Sequence, residues 1–461
     1  AWPVAGHLHI MAGKKPHVAL ASMADKHGPV FSIKLGSRHV VVVSDHELAK
    51  ELFTAHDGSI SSRPKLRALK HLTYDFAMFG FAPYGSFWRG MRKLVVVELL
   101  SSKRIEMMSH VRESEITEAM DRVFGNDGVL VDMKKWFGDL TFKIMLRMMA
   151  GDRFCHGGAG EMEIPKLHKL LKEYVRLMGV FVPADAWPFL RWFDLGGQEK
   201  IMKKTAAEMD GILTWWLTEA RKHSGDNSFI DVLLSVLPTA ELRSELDTDT
   251  IIKATIEGLI TAGTQTTSMM LTWILTLILN HPTVLNKIQE ELDQKIGRNR
   301  RPIESDVNDL VYLKAVVKET FRLYPISPLG IPRQVSEDFV LRGGHRIPKG
   351  SWVALNLWRL QRDAAVWSDD ASEFRPERFL EEKRNVDVRG REFELMPFGA
   401  GRRSCPGMNL GLSTVHCVLA NLLHGLDVTA ADGRPVDTDG EGISIYSKVR
   451  PLHVFLKPRL N

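Results

Sequence analysis

The chain is short of cysteine, with three in 461 residues, at positions 155, 405 and 417. Three thiols cannot build a disulfide framework, and without a CxxC pair they offer no zinc site, so a reducing compartment is expected. An excess of one charge is lacking as well. Lys and Arg number 61 against 56 Asp and Glu, and the resulting +5 is dispersed along the chain. That balance argues against nucleic acid as a partner and is compatible with an acidic protein or an anionic membrane surface. Internal repeats and low-complexity linkers are also missing. The opening "AWPVAGHLHI" has no initiator Met and no basic region followed by an apolar one, and the expectation is that a targeting segment preceded it.

Long hydrophobic runs are scarce too. The stretch from Gly258 to Leu279, "GLITAGTQTTSMMLTWILTLIL", carries no formal charge and is long enough to cross a bilayer. Its first half nevertheless crowds Thr261, Thr264, Gln265, Thr266, Thr267 and Ser268 into what would be hydrocarbon. Such groups suit a core helix that satisfies them locally or with a ligand.

What is present is a globular composition, 44% hydrophobic and 25% charged. Helical periodicity dominates. "TVLNKIQEELDQKI" (283–296) places Val284, Leu285, Ile288, Leu292 and Ile296 on one face, with Pro282 near its start. Further helices are expected over 306–323 and from Gly407 to Gly425. Strands are few: "RHVVVVS" (38–44), "DFVL" (338–341), "SWVALNL" (351–357) and "LHVFLK" (452–457), the middle pair separated by the turn-rich "RGGHRIPKG". The fold class is mainly α with small β-sheets. Strands at both ends of the chain must pair with something, which favours one closed domain over 1–461.

Between Phe398 and Gly407 runs "FGAGRRSCPG". It falls short of a GxGxxG fingerprint, and a proline precedes it where a strand would be needed. A cysteine after a glycine-rich turn is ordinarily a small buried hydrophobe. Here, two arginines, flexible glycines and a helix opening at Pro406 and Gly407 are the surroundings that hold a thiolate in its anionic form.

Phe398, Gly401, Arg403, Cys405 and Gly407 reproduce FxxGxRxCxG, and the chain thereby resembles the cytochrome P450 haem-thiolate monooxygenases. The resemblance implies that fold, a single triangular-prism-like domain, with haem b (iron protoporphyrin IX) as cofactor. Cys405 is then the axial iron ligand, Arg403 a propionate partner and Phe398 a neighbour of the thiolate. A cysteinate favours O–O cleavage by pushing electron density onto iron.

Three further segments match in order. "KETFR" supplies Glu319 and Arg322, by spacing alone an ordinary helix-surface pair. In the family this pair locks with the arginine of "RPERF", here Arg378, into a buried structural trio. "FWRGMR" offers Trp88 and Arg92, and "GIPRQ" offers Arg333, as propionate partners; Trp88 and Arg92 taken alone could simply pack. "AGTQTT" resembles AGxDTT, with Ala262 and Gly263 leaving room over the haem face and Thr266 helping to deliver protons. The acidic position is Gln265. An amide cannot ionise usefully, so either water and Thr266 carry the protons or the residue is tuned to a particular substrate or reaction.

No flavin- or nicotinamide-binding segment is evident. The resemblance therefore implies a reductase, NADPH-cytochrome P450 reductase, docking on the Cys405 side near Arg402 and Lys93. It extends over essentially the whole chain and narrows to plant microsomal enzymes of specialised metabolism. These are anchored on the cytosolic face of the endoplasmic reticulum membrane, and a monomer is expected. Substrate contacts are expected from residues 71–83, 256–266, 325–330 and 442–447, with Phe76, Phe79, Thr266, Leu329, Ile445 and Tyr446 suiting a small, flat, mostly apolar or aromatic molecule alongside O2. The leading expectation is hydroxylation of a flavonoid. Oxidation of an alkaloid or terpenoid, an electron-independent isomerisation or dehydration, and haem binding without turnover stay open beside it.

Overall fold

The computed structural model describes residues 1–13, 15–124, 128–154, 164–222, 225, 227–240, 242, 244–443 and 445–460. Cys155 lies outside the described residues. At the centre runs Thr248–Asn280, started by Asp247, whose carboxylate accepts the Thr250 N–H at 2.9 Å. The apolar stretch noted in the sequence is the buried body of this helix, ten residues longer at its N-terminal side. Among the described residues no single helix is long and apolar enough to cross a membrane. It packs against Met133–Ala150, and the Met145 side chain fills the space beside Gly263, where a Cβ would lie 2.5 Å from it.

Met408–Gly425 and Val311–Leu323 complete the core around the long helix. Pro282–Ile296 buries Val284, Ile288, Leu292 and Ile296, with Leu285 half-buried beside them. The helix expected over 306–323 is broken. Residues Glu304–Asp309 form a tight 3₁₀ turn, and the chain turns at the fully buried Leu310 before the helix begins at Val311. The cause is tertiary: the Glu291 carboxylate accepts the N–H groups of Tyr312 (2.7 Å) and Leu313 (3.0 Å), a cap supplied from another helix.

The strands tie distant segments together. Arg38–Val43 pairs antiparallel with Val30–Leu35 and parallel with Trp352–Leu355, which in turn pairs with Arg333–Gln334. His453–Pro458 lies between Val129–Asp132 and Leu426–Ala430. The strand Phe339–Leu341 finds its partner inside the turn-rich stretch, in His345–Ile347. Gly343 and Gly344, both with φ above +80°, close that hairpin. Trp352–Leu355 ends early because Asn356 caps a new turn, its side chain accepting the Arg359 N–H at 3.2 Å.

Candidate active site

Cys405 sits between a tight turn, Gly401–Arg403, and the helix Met408–Gly425. Its own N–H donates to the Phe398 carbonyl at 2.8 Å, so the segment closes on itself. Phe398 stacks obliquely on Phe321, ring centres 5.0 Å apart. Gly401 has φ +69°, and a Cβ there would stand 2.4 Å from Asp57 Oδ1. No other residue fits. The Asp57 carboxylate accepts the Arg402 N–H at 2.9 Å, which pins the turn to a segment 345 positions earlier.

Cys405 presents accessible sulfur although protein surrounds it. Burial pushes its thiol up; the Gly407 N–H and the Arg92 guanidinium pull the other way. Those two groups are what a bound thiolate would need, and a coordinating thiol gives up its proton to the metal outright.

Around this loop the structure gathers arginines without matching carboxylates. Arg403 is buried, lies 4.4 Å over the Trp88 ring and donates to the carbonyls of Ser61 (2.8 Å) and Ala82 (2.5 Å). Arg333 donates to the Ala400 carbonyl at 3.0 Å and stands 3.5 Å from Asp57. Arg92 reaches the Ser404 hydroxyl at 3.3 Å. A fourth, Arg63, was missed from the sequence, where "SSRPK" has no distinguishing spacing. It is buried, and it donates to the Ile331 (2.6 Å) and Pro332 carbonyls.

Burial, and then mutual repulsion, lowers the pKa of Arg403 to about 9 and pulls Arg63 down as well. Burial takes Arg333 to about 10, with Asp57 opposing. Arg63 Nε and Arg333 Nη1 are buried without a hydrogen-bond partner. Buried cations in excess require anions, and two carboxylates on one planar ligand are the complement that this cluster fits. A single sulfur donor suits an iron whose remaining ligands come from such a ring. Haem meets both conditions.

On the long helix, Ala262 and Thr266 are exposed while Thr261, Thr264, Thr267 and Ser268 around them are buried. Thr266 Oγ1 donates to the Ala262 carbonyl at 2.7 Å, which leaves its lone pairs facing outward. Gln265, beside it, is half-buried.

Glu319, Arg322 and Arg378 are all 0% exposed. Glu319 accepts from Arg322 at 2.7 and 2.8 Å, from Arg378 at 3.0 Å and from the Arg375 N–H at 3.0 Å.

Of the residues expected to touch substrate, Thr266 is the exposed one on the long helix. Phe76 and Ile445 are half-buried, and Phe76 holds a left-handed backbone, φ +69°. Phe79 is buried in the main core. Leu329 is buried with Leu20, Ile33, Val40, Val42 and Ala354. Tyr446 is a core residue stacked on Trp273, ring centres 5.4 Å apart, with Trp358 and His17 against it. Apolar and aromatic character near a turn reads the same for core and for ligand contact, and Phe79, Leu329 and Tyr446 are buried.

The cytochrome P450 family profile matches residues 1–454. The chain is 49% identical to a flavonoid-6-hydroxylase of Ocimum basilicum, over all of this chain and 90% of that one. It is 50% identical to a strychnine-10-hydroxylase of Strychnos nux-vomica, again over all of this chain and 90% of the other. A zebra fish cytochrome P450 solved with progesterone superposes with a TM-score of 0.81 at 25% identity, covering 96% of this chain and 99% of that one. A thiol held by Gly407 and Arg92, a buried arginine cluster that wants two carboxylates, and similarity along the full length place this chain in the cytochrome P450 family.

Proposed function

We propose that residues 1–461 form one haem-thiolate monooxygenase domain that hydroxylates a ring of a flavonoid. The supporting observation is Cys405 held beside four buried or half-buried arginines, in a chain 49% identical to an enzyme named for flavonoid hydroxylation. Isomerisation or dehydration, which Gln265 left open, is not favoured, since the relatives just named are hydroxylases.

In this reading Cys405 holds the iron, and Arg63, Arg92, Arg333, Arg403 and Trp88 hold the porphyrin's carboxylate edge. Bound haem supplies the iron at which O2 is activated for insertion into a C–H bond. Thr266, its hydroxyl hydrogen committed to the Ala262 carbonyl, accepts a hydrogen bond from water or substrate on the open face of the helix. Phe76 and Ile445 remain candidates for substrate contact. Arg402 and Lys93, both exposed, offer positive charge to an acidic reductase surface on the Cys405 side. NADPH-cytochrome P450 reductase at the endoplasmic reticulum membrane, with this chain monomeric on the cytosolic side, is the corresponding setting.

The test is turnover of apigenin by the purified chain with that reductase, NADPH and isotopically labelled O2. A hydroxylated flavone carrying one labelled oxygen is expected. NADPH consumption with no hydroxylated flavone from apigenin or related flavones would sink the flavonoid assignment.

Arg63 gives an independent check. Arg63→Met removes a buried cation that its neighbours repel, so the haem-free chain should melt no lower than the parent. The haem-loaded form should lose its haem roughly a hundredfold more readily, the equivalent of about 3 kcal/mol for one desolvated charge pair. Haem transfer to an apomyoglobin acceptor measures the second effect, and calorimetry the first.

A further inference from the structure

Position 265, where the family pattern has an acid, is an amide. The same helix carries an acid two turns earlier on the same ridge. Lys253, Glu257, Thr261 and Gln265 follow one another at i, i+4, i+8 and i+12, the spacing that stacks side chains along one side of a helix, about 6 Å apart from step to step. This row is continuous and polar.

Its members are unusually placed. Glu257 is 1% exposed, and its Oε2 is buried with no hydrogen-bond partner; Thr261 Oγ1 is buried and unpartnered as well. Lys253, the natural ion-pair partner one turn before Glu257, is turned away to Asp210 at 2.6 Å and to Thr214 at 3.2 Å. Asp210 also accepts from the Tyr74 hydroxyl at 2.9 Å, and its side chain is open to solvent. The groups coupled to the Glu257 carboxyl are Asp210 on the helix Gln198–Lys222 and Tyr74 and Tyr174 from two other segments, while Lys253 on its own helix is engaged by Asp210. Burial first, and then the charge of Asp210, raise the Glu257 carboxyl well above the ordinary carboxylate range.

We propose that Glu257 is the proton donor for oxygen activation in this enzyme, displaced two turns from the usual acidic position and connected to the open face by Thr261 and Gln265. This rests on the monooxygenase reading. The Glu257 O–H proton passes to a bridging water and the Thr261 hydroxyl, which accepts and donates in one step. It then reaches water held by the Gln265 carboxamide, next to Thr266. The Glu257 carboxylate left behind regains a proton from solvent at the Asp210 and Tyr74 end. Each transfer breaks one O–H bond and makes another, and no electrons move along the row.

The experiment compares the parent with Glu257→Gln, Thr261→Val and the double change Glu257→Gln with Gln265→Asp, using apigenin, NADPH and reductase. Product formed per NADPH should fall about tenfold or more in E257Q, with the balance appearing as hydrogen peroxide or water. T261V, which leaves the acid in place, should fall in the same direction. The double variant should recover, because an acid is restored at the inner end of the row. Turnover driven by added hydrogen peroxide, which brings oxygen already reduced and protonated, should match the parent throughout.

Two readouts need no turnover. The infrared carbonyl stretch of a protonated carboxylic acid should be present in the parent and absent in E257Q. The parent should also lose stability, relative to E257Q, as pH rises from the ordinary carboxylate range toward the higher value of the buried group, because the folded state holds the proton more tightly than the unfolded one. Unchanged NADPH coupling in E257Q and T261V, a parallel loss of peroxide-driven turnover, or absence of the carbonyl band overturns the proposal. A parent that forms no product from NADPH at all overturns the monooxygenase reading instead.

Discussion

Cys405→Ser should fold to the same helical content, form no hydroxylated product, and lose the ferrous carbonyl absorption that marks a thiolate ligand. The fold should survive because the change is nearly isosteric and falls on a side chain with accessible surface. The loop is held by groups the substitution leaves alone: the Cys405 N–H on Phe398, the Arg402 N–H on Asp57, and the close approach at Gly401. Chemistry should fail because a thiol gives up its proton to a bound metal, with the Gly407 N–H and Arg92 favouring the anion, whereas a hydroxyl is a far weaker acid that these two groups cannot bring to an alkoxide. A serine hydroxyl there stays protonated, so the axial donor is neutral and weak. Circular dichroism, reduced carbon monoxide difference spectra and product analysis on one preparation check all three. A serine variant that keeps the thiolate-type spectrum would remove Cys405 from the iron, and with it the reading of the whole site.

Local sequence carried the residues that touch one another along the chain. The loop from Phe398 to Gly407 is such a case, since its turn, its cysteine and the following helix are contiguous. The ridge of Val284, Ile288, Leu292 and Ile296 is another, because periodicity reports which face is apolar. What local pattern does not report is the partner across space. Asp57 meets Gly401, and Arg63 joins Arg333 and Arg403, in a segment tied to the neighbour of Arg333 by a backbone bridge between Ser62 and Gln334. Nothing near Asp57 or Arg63 in the chain marks either one. Leu310 breaks a helix that periodicity would continue, because Glu291 on another helix caps the new start. Glu257 was hidden differently: the uncharged apolar stretch begins at Gly258, one residue past the acid nearest to Gln265 on that ridge.

Glu319→Gln should be the most damaging single change to the fold, and the reason lies in what it leaves behind. Glu319 is the anion between the fully buried guanidiniums of Arg322 and Arg378. Arg322 is further committed to the carbonyls of Gln361, Ala371 and Glu373, so it cannot swing out to water. An amide keeps the shape, removes the charge, and turns an N–H₂ toward groups that only donate. Breaking a buried pair from one side costs about 3–5 kcal/mol, a large share of the roughly 5–15 kcal/mol that separates folded from unfolded domains. The damage should reach the site before the whole fold is lost. Gln361, whose carbonyl Arg322 holds, accepts the Met396 N–H at 3.2 Å, and Met396 leads directly into Phe398 and Cys405. Urea titration should show the lowered midpoint, and the haem-to-protein ratio should fall at urea concentrations where helicity is still intact. Replacing all three side chains together with apolar residues of similar volume separates charge from shape. If stability returns while haem retention does not, the trio serves to place the Cys405 loop, whereas recovery of both would show that the network only avoids unpaired charge.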